Sequence, residues 1–356
     1  MMTQSMISDS VQRLFAGLVN TKTLLQMERD HWPDELWKIT ETSGYADVLV
    51  PQNKGGFGGS FLDAYEILRS AGAHSLPLPL AETIVARYML SNIGMDVPQG
   101  PITMIEQGRQ SEIELMTVGN VLQVKGKAIS VPWARWCDWL MVHASLKGSG
   151  VLALIQIKDQ AKVSITKREN IAKEPRDDIV FDGVVCSAYA PITHSFTEPI
   201  WGLGALTRSM QIVGALEASF DMSLTYVSQR EQFGKPLGNN QAVQQMLAVM
   251  ASETAAAKMA TQVAAMWTSD TTALFDIAVA KVRSGEAAGR AAAIAHQVHG
   301  AMGTTQEYGL NFLTRRLWSW RREFGSDAHW AEKLGSATIA AGSENFWFGL
   351  TSRSIL

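Results

Sequence analysis

Arg230-Glu231-Gln232-Phe233-Gly234-Lys235-Pro236-Leu237 is the stretch on which the fold turns, because long helical patterns stand on both sides of it. Its glycine permits a sharp turn and its proline cannot continue a helix interior, so the stretch reads as a short break. Residues 203–229 before it and 240–267 after it read as two helices. A second stretch, Gln297-Val298-His299-Gly300-Ala301-Met302-Gly303, followed by Glu307-Tyr308 and Arg315-Arg316, lies at the end of a third pattern over 272–302 and ahead of a fourth over 309–321. Alanine clusters at 255–257 and 291–293 combine high helix propensity with close packing. The last third of the chain is therefore expected to be a four-helix bundle with short connections.

Outward from there the composition changes twice. Residues 101–198 carry β-branched alternation and short glycine turns, as in 118–131 (VGNVLQVKGKAISV), with short apolar runs at 139–143, 151–157, 163–165 and 179–185. These predict a small, mostly antiparallel, barrel-like β-domain. Residues 1–100 return to helical spacing, through Val11, Leu14, Phe15 and Leu18, and are broken by Gly55-Gly56-Phe57-Gly58-Gly59. The expected order is a helical domain over 1–100, a β-domain over 101–198 and a helical bundle over 199–356. The fold class is mainly α with a middle β-domain.

A formal net charge of −3 argues against nucleic acid as the partner, since phosphate binding draws on a basic excess. Two cysteines, Cys137 and Cys186, make no disulfide framework, and no Cys/His spacing matches a zinc site. The opening MMTQSMISDSVQRLF has no apolar run of signal length, and no stretch approaches the ~18 uninterrupted apolar residues of a membrane span. A cytoplasmic location and no membrane partner are expected.

The two motif stretches, in this order and at this separation, resemble those of the acyl-CoA dehydrogenase family, and the helical, β, helical order is similar to that family's. The resemblance is strong over 200–316 and weak over 100–195. It implies FAD as cofactor, an acyl-CoA substrate, and an electron-transfer flavoprotein or similar acceptor. It also implies that these motifs serve the FAD of a neighbouring subunit, hence a homo- or hetero-oligomer. Carried over residue by residue, Arg230 offers a planar fork to phosphate oxygens, Phe233 an aromatic face, and Gln232 and Gln297 amide groups. Gly300 and Gly303 leave room for a cofactor.

Other parts depart from the family's pattern. The glutamate that removes the substrate's α-proton stands in a Glu-Gly pair, and here that position reads Phe324-Gly325, with Glu323 one residue earlier. The earlier-helix alternative falls on Gly204. Glu323 is the remaining candidate base, against a plain role as partner of Arg321 or Arg322. Glu217 and Asp221 read as helix-surface charges. In the β-domain, Ser130 is a candidate flavin contact, while Trp133, Trp136 and Trp139 suit a core equally well. The half that serves a neighbour's FAD is retained and the half that would hold a flavin and a base of its own is degraded. That pattern is similar to the short subunits of heteromeric dehydrogenases of steroid degradation. The alternatives are a self-sufficient homo-oligomer using Glu323, a non-catalytic acyl-CoA-binding or assembly protein, and a flavin monooxygenase on the same scaffold.

Overall fold

The computed structural model describes residues 4–109, 111–158, 160–192, 199–232, 234–267, 273–353 and 356. The amino-terminal helices are α1 (Gln4–Leu18), α2 (Thr21–Glu28), α3 (Asp34–Thr42), α4 (Phe61–Ala73) and α5 (Leu80–Asn92). Eight strands follow: β1 (Ile102–Glu106), β2 (Ser111–Val118), β3 (Val121–Pro132), β4 (Trp139–Leu146), β5 (Ser149–Gln156), β6 (Val163–Thr166), β7 (Arg176–Val185) and β8 (Ala188–Pro191). Helix α6 (Pro199–Gln229) leads to a two-stranded hairpin, β9 (Glu231–Gln232) and β10 (Lys235–Pro236). The chain finishes with α7 (Gln241–Trp267), α8 (Ala273–His299), α9 (Leu310–Trp320), α10 (Asp327–Ala341) and α11 (Phe346–Ser352).

Two compact units result: one of residues 1–25, 61–76 and 205–356, the other of 26–60 and 77–204. In the first, α4 and α6 cross with their backbones in contact. A side chain on Gly214 would fall 1.7 Å from the Arg69 carbonyl oxygen, and one on Gly72 would fall 2.0 Å from that of Gln211. Glycine is required there by space. Beside the crossing, Glu217 accepts from Arg69 of α4 (2.8 Å) and Lys258 of α7 (2.9 Å). It ties three helices together and is not a plain surface charge, whereas Asp221 is exposed.

The second unit corrects the barrel expectation. Its strands form two open four-stranded sheets, ordered β1-β4-β5-β8 and β2-β3-β7-β6. The β1–β4 pair is parallel, Ile102 opposite Trp139 through Glu106 opposite His143. The other pairs are antiparallel. One apolar core takes Ile105, Leu140, Val142, Val151 and Ile155 from the first sheet, and Ile113, Val124, Ile179 and Phe181 from the second. The sheets therefore pack face to face, and neither closes on itself.

The carboxy-terminal bundle carries more than the four expected helices. Helix α10 starts at an N-cap, Ser326, whose hydroxyl accepts from the His329 amide (3.1 Å). Among the described residues of α10 only Trp330 is buried, so the apolar periodicity that marks a helix in sequence is weak there.

Candidate functional site

Helix α6 ends where the Arg230 amide donates to the Tyr226 carbonyl (2.8 Å), and the chain then doubles back. Gln232 pairs with Lys235 and Glu231 with Pro236. Gly234 holds the turn at φ +74°, a conformation that favours glycine. The Leu237 amide donates to the Arg230 carbonyl (2.8 Å) and closes the hairpin. Arg230 and Gln232 stand exposed at its base. Phe233, expected to offer a ring to the cofactor, lies outside the described residues.

The second motif sits at the end of α8. His299 is buried; its Nδ1 lies 2.7 Å from the Ala295 carbonyl oxygen and its Nε2 lies 3.1 Å from the Tyr308 hydroxyl. A carbonyl only accepts, so Nδ1 carries the proton and Nε2 accepts from tyrosine. Burial pushes the His299 pKa below its ordinary value, favouring this neutral form. The Tyr226 ring, one turn before Arg230, lies 4.5 Å from the His299 ring. An apolar cluster of Val227, Val243, Leu247 and Val298 joins the end of α6, the start of α7 and the end of α8. Both motifs are thus held at one end of the bundle. Gln297 projects from it exposed.

The glycines divide their roles. Gly300 turns the chain out of α8 at φ +58°, and nothing lies within 4 Å of where its side chain would stand; the same open space flanks Gly234. Gly303 is buried, and a side chain there would press His299, Leu310 and His296 at 3.1–3.2 Å. A guanidinium, two amides and open backbone at two glycines suit a pyrophosphate-bearing ligand, so these residues fit FAD.

Glu323 sits elsewhere in this unit. Its carboxylate accepts from Nε of Arg208 (2.7 Å), a buried arginine of α6 that also donates to Gln211 (2.6 Å). Arg321, one of the partners expected for it, pairs with Asp327 (2.5 Å). The Arg208 guanidinium also lies 5.5 Å from the Phe324 ring centre. Phe324 holds φ +53° and Gly325 φ +90°; the Phe324 carbonyl accepts from Trp330 Nε1 (2.9 Å). From α8, the buried Lys281 ammonium donates to the carbonyls of Trp320 (2.8 Å) and Arg321 (3.1 Å). The turn carrying Glu323 is therefore fixed by a buried arginine and a buried lysine, and its carboxylate is engaged with the arginine.

Residues 202–331 match the family described as acyl-CoA dehydrogenase, C-terminal domain. The chain carries an acyl-CoA dehydrogenase C-terminal domain. It is also 23% identical over 317 residues to the acyl-CoA dehydrogenase IpdE2 of Mycobacterium tuberculosis, a match covering 88% of this chain and 90% of that one. Its fold is similar to that of the ChsE4-ChsE5 complex from Mycobacterium tuberculosis, with a TM-score of 0.86, 20% identity, and coverage of 95% and 98% of the two chains. The Tcur3481-Tcur3483 steroid ACAD is comparable: a TM-score of 0.84, 21% identity, and coverage of 96% and 98%.

Within the acyl-CoA dehydrogenase domain, sequence reading singled out Glu323 but missed the residues that hold it. Lys281 stands on the face of α8 shared with Ile277, Ala278, Ser284 and Ala288, all buried. A lysine at a core-periodic position was the available signal. In the other unit, Ser130 is exposed at a bulge between β3 and β7, φ +55°, with its amide donating to Asp178 (3.1 Å). Trp133 is buried in the β core and its ring lies 5.8 Å from that of Trp136, which supports the core role weighed for both. Trp139 is half-buried at the start of β4. Among the described residues no group of three or more His, Cys, Asp or Glu side chains suits a metal, and no helix is long and apolar enough to cross a membrane.

Proposed function

We propose that this chain is one subunit of an FAD-dependent acyl-CoA dehydrogenase and completes the flavin site of a partner chain of the same family. One observation carries the reading: Arg230, Gln232 and Gln297 of the FAD-type motifs stand exposed, while the base position is Phe324 and the adjoining Glu323 is paired with Arg208.

FAD supplies the two-electron acceptor for α,β-dehydrogenation of an acyl thioester. Arg230 offers its guanidinium to the cofactor's phosphates, and Gln232 and Gln297 offer amides that donate and accept. Phe233 offers a ring, Gly300 leaves open backbone for the approach, and Gly303 lets its turn pack against His299 at the end of α8 and against Leu310. Ser130 is the candidate flavin contact of this chain's own β-unit. The α-proton is removed by a carboxylate of the partner, because a glutamate already accepting from a buried arginine is a poor base. Similarity to steroid-type relatives favours a steroid-derived thioester, with an electron-transfer flavoprotein or similar acceptor.

The test is flavin absorbance and mass of the chain purified alone, and again after co-expression with a longer dehydrogenase subunit. A colourless lone protein that becomes yellow with the partner, at one flavin per pair, is the expected result. A lone protein with one flavin per chain and dehydrogenase activity overturns the reading and restores Glu323 as the base.

A further inference from the structure

Three aromatic rings meet where the two motif stretches come together. His299 closes α8 two residues after Gln297 and just before Gly300, and Tyr226 lies on α6 one turn before Arg230. Tyr308 arrives from the loop that leads on to α9. The His299 ring centre stands 4.5 Å from that of Tyr226 and 5.0 Å from that of Tyr308, and the two tyrosines meet edge to face at 5.9 Å. Aromatic pairs at such separations attract beyond what their burial supplies. Gly303 makes the closure possible, because a side chain there would stand 3.1 Å from His299 Cβ.

A buried leucine would fill much of the same volume, but it would hold nothing in register. The imidazole does so through two hydrogen bonds. Its Nδ1–H donates to the Ala295 carbonyl (2.7 Å) and fixes the ring against the last turn of α8. Its Nε2 accepts from the Tyr308 hydroxyl (3.1 Å), whose oxygen also lies 3.5 Å from the Met222 carbonyl oxygen of α6. One side chain thereby reaches the end of α6, the end of α8 and the loop that follows. Each of those helix ends carries a residue assigned above to the cofactor. The Tyr226 carbonyl accepts from the Arg230 amide (2.8 Å), so the turn stacked on His299 is the turn that sets Arg230. Arg230 and Gln297 are exposed, and their spacing is inherited from these turns.

We propose that His299 is a positioning residue of the FAD site. Its stack on Tyr226 and its bond from Tyr308 hold the Arg230 turn, the Gln297 turn and the loop over 300–309 in one arrangement before the cofactor arrives. The inference rests on the reading that Arg230 and Gln297 meet FAD. A helix end that frays must be ordered when a ligand binds, and that ordering subtracts from affinity. A site already ordered by a neighbouring side chain escapes the loss. His299 acts through Tyr226 and Tyr308, so removing either of its links should loosen Arg230 without removing any group that meets the cofactor. The loss of one such neutral hydrogen bond weakens binding about fivefold.

Two readouts test this: FAD retention of the assembled enzyme on serial dilution, by flavin absorbance, and amide hydrogen exchange of the lone chain without FAD. His299→Phe keeps a ring in the stack and removes both hydrogen bonds. Tyr308→Phe removes the donor from the other side, and His299→Gln sets a carbonyl oxygen close to where Nε2 stands. Both phenylalanine variants should raise FAD dissociation about fivefold and speed exchange of the Arg230 amide, with exchange over 205–216 unchanged. His299→Gln should restore most of the retention. Arg230→Ala, measured beside them, separates the two readings. Retention lost in Arg230→Ala but unchanged in the phenylalanine variants overturns the positioning role alone, and retention unchanged in all of them overturns the cofactor assignment with it. Unchanged Arg230 exchange in His299→Phe, or no rescue by glutamine, also overturns the proposal.

Discussion

Replacing Lys281 by methionine isolates the cost of burying its charge. The ammonium is fully enclosed, and desolvation, aided by Arg208 and Arg321, pushes its pKa from 10.5 down to about 7 against the opposing pull of Glu323 and Asp327. Between these two values the unfolded chain binds a proton that the folded chain does not, so stability rises with pH across that window. The contribution is complete above about pH 10.5, shrinks as pH falls, and is gone once pH has dropped through the folded value near 7. Integrated from pH 7 to pH 9, this one group makes wild type about 2 kcal/mol more stable at the upper end. The methionine variant lacks that slope. It also loses the hydrogen bonds to the Trp320 and Arg321 carbonyls, but that loss is nearly independent of pH and cancels in the comparison. Urea denaturation at fixed protein concentration, at pH 7, 8 and 9, measures the difference. The wild-type midpoint should climb by about 1 M relative to the variant for a urea slope of about 2 kcal/mol/M. Parallel curves for the two proteins would refute the reasoning, because they would mean Lys281 stays charged in the folded state throughout the window.

Arg230→Ala should weaken FAD retention in the assembled enzyme by about 1.5–3 kcal/mol, read as flavin lost on dialysis, since it removes a charge-assisted donor. Unchanged flavin content would remove Arg230 from the site. Glu323→Gln should leave turnover of the assembled enzyme within a few-fold of wild type, and a fall of several orders of magnitude with flavin intact would identify Glu323 as the base. Gly214→Ala should cost about 3 kcal/mol or more, because its methyl would meet the Arg69 carbonyl at 1.7 Å. Thermal unfolding checks this, and an unchanged midpoint would mean α4 and α6 do not cross there.

The two motif stretches were legible in sequence because each combines a helix end with residues whose types have few other uses in that order. Arg230 and Gln297, far apart in the chain, come to one end of the bundle because α7 runs back between α6 and α8, which sets the last turns of those two helices side by side around the Val227, Val243 and Val298 cluster. The strand positions were legible for a similar local reason: alternation along β3 and β7 depends on which face of a sheet is buried. Their arrangement was not, because a barrel and two facing sheets impose the same alternation on each strand. The parallel pairing of β1 with β4 is likewise a choice between partners that no local pattern records. Nothing in the local pattern around Gly72 and Gly214 marks the close approach of the α4 and α6 backbones. What sequence by itself determined was the order of elements, the family-type motifs and the absence of an acid at Phe324. Tertiary structure alone decided what Glu323 does, since its partner Arg208 is 115 residues away along the chain, and burial, which makes that pairing matter, belongs to the folded chain and to no single segment of it.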